Sequence, residues 1–447
     1  MKLILFLLFA SLSANAFNVD PIYNGTTWVV LVAGSNGWYN YRHQADIYHA
    51  YQVVRNHGIP EKNIIVFHYD DLAHNSQNPT PGQVINKPGG TDVYHGVAKD
   101  FVGADVTPKN FLGVLRGDQE LAQKGKKVLQ SGPNDHVFVY FADHGSTDLI
   151  AFPSEYLYGE DLNKALQYMY DNHKYSKLVF YLEACESGSM FNKLLPKNIN
   201  IFATTASNPT ESSYACYYDS KRQTYLGDVY SVKWIENSDR RSYGNETLSE
   251  QFTIVKKETN TSHVQEYGDL SIGNLPLTQF QGPKNSFHQL IGGDEVTPAV
   301  FTTVDSGDVP IHVLKNRIQA TTDPEDKKLL TTQLQQLIDG REFLNNHFTQ
   351  YLNSIQHLIG KQIDVMVNKK QELSNRQCYR KLVDAFHQNC LNLNKNPFVL
   401  RKLHILVNVC EEVSRGADVD IKVKDAFDHL LTYCHNNLQT GYPQPIE

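Results

Sequence analysis

Beyond the first seventeen residues, the 447-residue chain has no apolar run approaching the ~18 residues that a membrane-spanning helix needs. It has no basic block: 41 Lys and Arg stand against 48 Asp and Glu, a net charge of −7, so nucleic acid is not an expected partner. None of its six cysteines forms a C-x-x-C pair, which argues against a zinc site. No metal or cofactor is expected from the sequence. Internal repeats are absent as well.

What is present begins with a leader. Lys2 precedes the apolar stretch Leu3 to Phe9, and Ala14-Asn15-Ala16 forms an A-x-A cleavage site, so residues 1–16 read as a secretory signal peptide. Three N-x-S/T sequons agree with that route, at Asn24, Asn245 and Asn260, whereas Asn208 is followed by Pro209. The expected product is a soluble protein of the secretory pathway. In an oxidising compartment Cys378, Cys390, Cys410 and Cys434 suggest two disulfides, with three possible connectivities. Cys185 and Cys216 are left without an evident partner. The charge is uneven: from Asp323 onward fifteen acidic residues balance fifteen basic ones, beside six histidines, so the −7 belongs to residues 1–322.

Apolar runs of strand length alternate with helical spacing through the first half. Thr26–Ala33, Asn63–Phe67, His136–Phe141, Leu178–Leu182 and Asn200–Thr204 read as strands. Helices are expected over Ala45–Asn56, Thr107–Leu129 and Tyr158–His173. This rhythm predicts an α/β fold with a mostly parallel sheet flanked by helices. Tyr214 to Asp239 reads as short strands and turns, and Pro283 to Pro324 as a weakly patterned linker. Helical spacing resumes at Glu325 and reaches Tyr433, which predicts a separate all-α domain. Arg116-Gly117-Asp118 interrupts a helical stretch and reads as a surface turn, with an RGD adhesion ligand as the alternative.

Two strands end in reactive side chains. HVFVYF delivers His144 and KLVFYL delivers Cys185. Parallel strands place their carboxyl ends side by side, where ligands and catalytic groups gather in open α/β sheets. A nucleophilic cysteine needs an imidazole within reach to take its proton. Gly145 allows close backbone approach, and its N–H with that of Cys185 could form an oxyanion hole. Taken singly, a buried cysteine is usually a small core residue and a histidine at a strand end a satisfied polar group. Together, at matching strand ends, they point to a thiol-histidine pair.

E-A-C-E-S-G resembles the caspase signature Q-A-C-x-G. The strings GSNGWYNYRHQAD, YFADHGS, YLEACESGSM, SSYACYYD and YLGDVYSV resemble the legumain family of asparaginyl endopeptidases, which are caspase-like cysteine proteases, and the likeness runs along the whole chain. The resemblance implies Cys185 as nucleophile, His144 as its base and Asn40 as the support of His144. It implies Arg42, His43, Glu183 and Asp228 as lining of the primary specificity pocket, with Ser212 beside it. From the residues alone, Glu183 and Asp228 read as a structural ion pair with Arg42. The family also implies a succinimide-forming aspartate at Asp143, and pairing of Cys378 with Cys410 and of Cys390 with Cys434. Domains follow: a short pro-segment at 17–25, a catalytic domain at 26–285, an activation linker at 286–324, and a removable helical pro-domain at 325–447 lying over the site.

The implied activity is cleavage after Asn, and after Asp at acid pH, by a zymogen that acid activates. Protein and peptide substrates, the chain's own pro-domain and cystatin-type inhibitors are the implied partners, and a lysosome, acidic vesicle or the secreted fluid the implied location. The family cuts after Asn near residue 322, but this chain has Thr322, leaving Asn316 and Asp323 as activation candidates. Val229 stands where an aromatic follows Asp228 in the family. A peptide ligase using the same thioester and a non-catalytic RGD-bearing protein are the alternative readings.

Overall fold

The computed structural model describes residues 23–240, 244, 246–283 and 301–438. The leader at 1–16, the sequon at Asn245 and residues 286–300 of the expected linker lie outside them. The chain runs β1 (Thr27–Ala33), α1 (Tyr41–Asn56), β2 (Ile64–His68), β3 (Phe101–Val102), α2 (Pro108–Arg116), α3 (Gln119–Gln123), β4 (His136–Ala142), β5 (Gly145–Ser146), β6 (Leu149–Ala151), β7 (Tyr156–Tyr158), α4 (Gly159–Asp171), β8 (Lys177–Glu183) and β9 (Ile201–Thr205). There follow β10 (Tyr214–Asp219), β11 (Thr224–Asp228), α5 (Val229–Asp239), α6 (Leu248–Glu258), β12 (Gln265–Gly268), α7 (Thr278–Gln281), β13 (Thr303–Asp305) and α8 (Val309–Ala320). The tail holds α9 (Pro324–Ser354), α10 (Ile363–Asn368), α11 (Arg376–Asn389), α12 (His404–Val413) and α13 (Val419–Leu438).

Seven strands form the central sheet in the order β12-β9-β8-β4-β1-β2-β3, and only the edge strand β12 runs antiparallel to its neighbour. The middle strands are apolar on both faces because both are covered. Phe138 and Tyr140 of β4 pack with Tyr48 of α1, Trp234 of α5 and Val255 of α6. Val137, Val139 and Phe141, on the opposite face, pack with Phe111 of α2 and Leu166 of α4. That is the continuous hydrophobic run of a doubly covered parallel strand.

Two sequence expectations are corrected. Only the start of 214–239 is strand; its last eleven residues form α5. Val229, Val232, Trp234 and Ile235 are all buried there, so packing against the sheet decides the helix. The expected linker is structured where it is described. Strand β13 extends the β11-β10 pair, and α8 lays Val309 and Val313 against Ala215, Tyr225 and Val304. Pro310 reads in the sequence as a breaker, yet it occupies the first turn of α8, where a missing N–H costs nothing.

In the tail, α9 begins at the cap Asp323, whose carboxylate accepts from the Glu325 and Asp326 N–H groups. Phe348, Tyr379, Phe386 and Leu406 build its core, which extends onto Leu149 and Tyr158 of the first unit. Cys378 is bonded to Cys410, and Cys390 to Cys434.

Trp234 meets Phe138, Tyr140 and Tyr181 edge-on at 4.9–5.8 Å between ring centres. Trp234→Ala is expected to cost roughly 3–5 kcal/mol in denaturant unfolding. A loss below about 1 kcal/mol would show that these rings are not a stabilising core.

Candidate active site

The register of two strands sets the site. Ala142 at the end of β4 pairs with Glu183 at the end of β8. His144 and Cys185 each lie two residues further on, so they leave the sheet side by side. Gly145 tightens the junction: a Cβ there would lie 2.4 Å from the Cys185 carbonyl oxygen and 3.0 Å from the Ala184 Cβ. No larger residue fits this approach. Cys185 is 9% exposed, and its Sγ lies 3.4 Å from the Ser213 backbone N and 3.7 Å from the Ser213 Oγ.

Asn40 fixes the histidine. Its Nδ2 donates to the Asn36 carbonyl at 3.0 Å, which turns its Oδ1 toward His144 Nε2 at 2.8 Å. The Nε2 must therefore carry the proton and donate, leaving Nδ1 as the basic nitrogen. His43 packs edge-on to the His144 ring at 5.0 Å. The His43 Nδ1 sits 2.6 Å from Ser35 Oγ and 3.2 Å from Asp143 Oδ1, and its Nε2 sits 3.5 Å from Asp228 Oδ2.

A buried charge cluster lies beside this pair. Arg42 Nε donates to Asp228 Oδ1 at 2.9 Å, and its Nη1 to the Tyr39 carbonyl at 3.0 Å. Glu183 Oε2 accepts from the Ser231 N–H at 2.9 Å and from its hydroxyl at 2.8 Å. Arg42 Nη2 and Glu183 Oε1 remain buried without a hydrogen-bond partner. Burial, reinforced by Asp228, pushes the Glu183 carboxyl well above its usual range. Burial also pushes Asp228 up to about 6, with Arg42 working the other way. Asp46, wholly buried one helical turn after Arg42, is driven up by burial and by Asp228.

The tail covers this end of the sheet. A cavity of about 300 Å³ over Cys185 is walled by Gly145, Glu186 and Ser212 on one side and by Lys370, Arg401 and His404 on the other. Arg401 pairs with Asp308 at 2.8 Å and Asp305 at 3.2 Å, and Arg341 with Asp308 at 2.6 Å. Lys370 pairs with Glu186, and Arg376 with Asp148 at 3.3 Å. Ser146 Oγ donates to the Leu400 carbonyl at 2.6 Å. Under this cover burial, with Asp305 nearby, pushes the Cys185 thiol up to about 11. Burial and the Arg42 charge push His144 down to about 3. Both groups are then uncharged near neutral pH.

The peptidase C13 family model matches residues 27–283. Legumain of Rattus norvegicus is 50% identical over 398 residues, 88% of this chain and 90% of that protein. The human legumain is 49% identical over 398 residues, 88% of this chain and 91% of its own. This chain belongs to the peptidase C13 family. A hemoglobinase of Schistosoma japonicum is 40% identical over 406 residues, covering 89% of this chain and 92% of its own. The crystal structure of a caspase-1 from Spodoptera frugiperda superposes with a TM-score of 0.34 at 11% identity, over 63% of this chain and 99% of that one. The architecture described above rests on the order and register of the strands.

As a C13 peptidase the chain is a cysteine endopeptidase of legumain type acting on protein substrates. Among the described residues no helix is long and apolar enough to cross a membrane.

The structure gathers Asn40, Arg42, His43, Asp143, His144, Gly145, Glu183, Cys185, Ser212 and Asp228 at one end of the sheet. The His144 backbone N–H faces the Asp143 carboxyl, whose pKa burial raises well above the usual value. Val229 is buried against Cys216 and Val232 and takes no part in the cavity over Cys185. Cys216 is wholly buried in β10 and unbonded. The Arg116-Gly117-Asp118 run joins two helices: Gly117, at φ 66°, ends α2, and the Asp118 carboxylate caps α3. Asn24 and Asn260 are exposed. Asn316 is half-buried within α8, while Asp323 is exposed between α8 and α9.

Sequence reasoning missed Ser213, Ser231, Asp46 and the covering Arg401. Only Asp46 left a signal, its helical spacing from Arg42. Possible metal-binding side chains converge within 4.8 Å at His43, Asp143 and His144, and at His357, Asp425 and His429 on the tail.

Two outcomes follow from this geometry. Asn40→Ala frees the His144 ring and is expected to lower kcat/KM about 10- to 100-fold with little change in stability. Unchanged kinetics would remove Asn40 from the site. Iodoacetamide should alkylate Cys185 at least about tenfold more slowly in the full chain at pH 7 than after the tail is removed. Equal rates would mean that the tail does not quench the thiol.

Proposed function

We propose that the chain is an asparagine-directed cysteine endopeptidase, made in the secretory pathway in a covered form and uncovered in an acidic vesicle or after secretion. The observation that carries this reading is the buried cluster beside Cys185, with its unpaired guanidinium N–H on Arg42 and unpaired carboxylate oxygen on Glu183. A carboxamide offers one acceptor and a two-proton donor, so it complements both ends. An ionised aspartate would set its second oxygen against Glu183 and Asp228, whereas a protonated one nearly reproduces asparagine.

In the reaction, His144 Nδ1 takes the Cys185 proton and the thiolate attacks the scissile carbonyl. The Gly145 and Cys185 N–H groups support the oxyanion, and the imidazolium returns its proton to the leaving amine. Water then hydrolyses the thioester. Asp143, with the His144 N–H against its carboxyl, is the proposed succinimide-forming aspartate. Asn24, Asn245 and Asn260 are the proposed glycan sites, and cystatin-type inhibitors the proposed partners of the uncovered form.

Opening by acid depends on which groups bind protons more tightly once the tail departs. Burial lowers the His404 pKa against the pull of two carbonyl acceptors. Those two carbonyls, each 2.8 Å away, suit an imidazolium while burial disfavours it, so His404 sets no direction for the opening. Burial works upward on Asp308, but Arg401 and Arg341 overcome it and hold the carboxylate below its usual range. Its contribution to cover is present above the usual carboxylate pKa and is lost as pH falls through the depressed value. Asp148 opposes Asp308: burial pushes it up to about 7, so its protonation favours cover. The first cut is proposed in the exposed 321–323 link, after Asp323, since Asn316 lies within a helix and Pro324 begins the next.

The test is acid incubation followed by mass spectrometry and peptide kinetics. Wild type should convert itself, Cys185→Ala should not, and Asp308→Asn, which loses the pairs with Arg341 and Arg401, should reach half-conversion at a higher pH. The ratio of Asp to Asn cleavage should climb as pH falls from about 7 to about 4, as the substrate carboxyl protonates. A flat ratio, or conversion of the Cys185→Ala chain alone, would sink the reading.

A further inference from the structure

Behind the pocket runs a line of polar side chains that the reaction does not use. Asp46 Oδ2 accepts from the Asp228 backbone N–H at 3.0 Å. Asp46 Oδ1 accepts from Asn86 Nδ2 at 2.7 Å, and the same Nδ2 donates to the Leu226 carbonyl at 2.9 Å. A main-chain carbonyl can only accept, so the orientation of the Asn86 amide is fixed and its Oδ1 faces outward as an acceptor. That oxygen lies 2.8 Å from His49 Nδ1, and His49 Nε2 lies 2.9 Å from Asp239 Oδ2. Each ring nitrogen of His49 thus faces an acceptor oxygen, which only an imidazolium satisfies. Gly227 seals the contact: a Cβ there would stand 3.0 Å from Asp46 Oδ1 and 3.1 Å from Asn86 Nδ2.

We propose that His49, Asn86 and Asp46 are positioning residues of the specificity pocket: the His49 imidazolium locks the Asn86 amide, Asn86 holds Asp46, and Asp46 holds the main chain of Asp228. This rests on the pocket reading given above. The charges facing the line are Asp239 and Lys87 at His49, with His57 beyond Asp239, and Asp228 and Glu183 at Asp46, whose charge also reaches Tyr140 and Cys216. Burial disfavours the His49 charge, but Asp239 and Asn86 outweigh it and raise the pKa above the usual histidine value. The lock is therefore closed at acid pH and opens as pH rises through that raised value. One ring nitrogen then loses its proton, Asn86 is released, and Asp228 is held less firmly against the substrate amide.

The experiment measures KM and kcat for an Asn-containing peptide from about pH 5 to about pH 8, on acid-converted enzyme, with the Cys185 alkylation rate as a separate monitor. Wild type should show KM rising on the alkaline side with kcat changing less. Asn86→Ala should raise KM about tenfold at every pH while Cys185 still alkylates at the wild-type rate. His49→Gln should raise KM and flatten its alkaline rise. Asp239→Asn, at the 40%-exposed outer end, removes the charge that holds the His49 proton. It should move the KM rise about one pH unit lower. If Asp239→Asn leaves the KM curve in its wild-type place, or Asn86→Ala leaves KM unchanged, the line has no role in positioning. A wild type that does not cleave after Asn would overturn the pocket reading instead.

Discussion

The in-phase pairing of β4 with β8 is the constraint on which everything else depends. It sets Ala142 opposite Glu183, and the next two residues of each strand carry the histidine and the cysteine out at one level. A one-residue slip would turn every side chain of a strand to the other face. Such a slip is resisted because both faces of each strand are buried. Phe138 and Tyr140 pack on one side, Val139 and Phe141 on the other, and neither set can be exchanged without exposing a core. The chemistry is therefore held by the packing of the whole sheet.

The pocket adds charge to that frame at considerable cost in desolvation. Arg42, Asp46, Glu183 and Asp228 are all almost wholly buried, three carboxyls around one guanidinium. Burial raises the pKa of each acid, and the pairs with Arg42 and Ser231 recover only part of that cost. A cluster of this kind is poor as a stabilising device and well suited to recognising a neutral polar side chain that pairs with its spare donor and acceptor. The tail meets the same end of the sheet with cations of its own, through Arg341, Lys370, Arg376 and Arg401. Burial at this end of the sheet favours the uncharged thiol and imidazole.

Much of this was legible because local patterns carried it. Five strands, the helices between them and the helical tail follow from apolar periodicity. The thiol and imidazole at two strand ends needed nothing beyond parallel geometry, and the likeness of motifs added the pocket residues. Illegible were the features made by contacts across long sequence separations. Strand β13 and helix α8 look like a linker, since three strand residues and a proline-led helix have no pattern until β10 gives them an edge. Ser213 reaches the thiol from 28 positions further along the chain. Asp46 joins Asp228 across 182 positions.

The sequence by itself determined the sheet, the reactive pair and the compartment to be expected, because strand alternation, small residues at strand ends and a leader are local signals. The tertiary structure alone decided which nitrogen of His144 is basic, which oxygens in the pocket remain unpaired, and which tail residues wall the cavity over the thiol. The physical reason is that proton positions and pKa values depend on burial and on partners brought together by folding. Neighbours along the chain do not supply them.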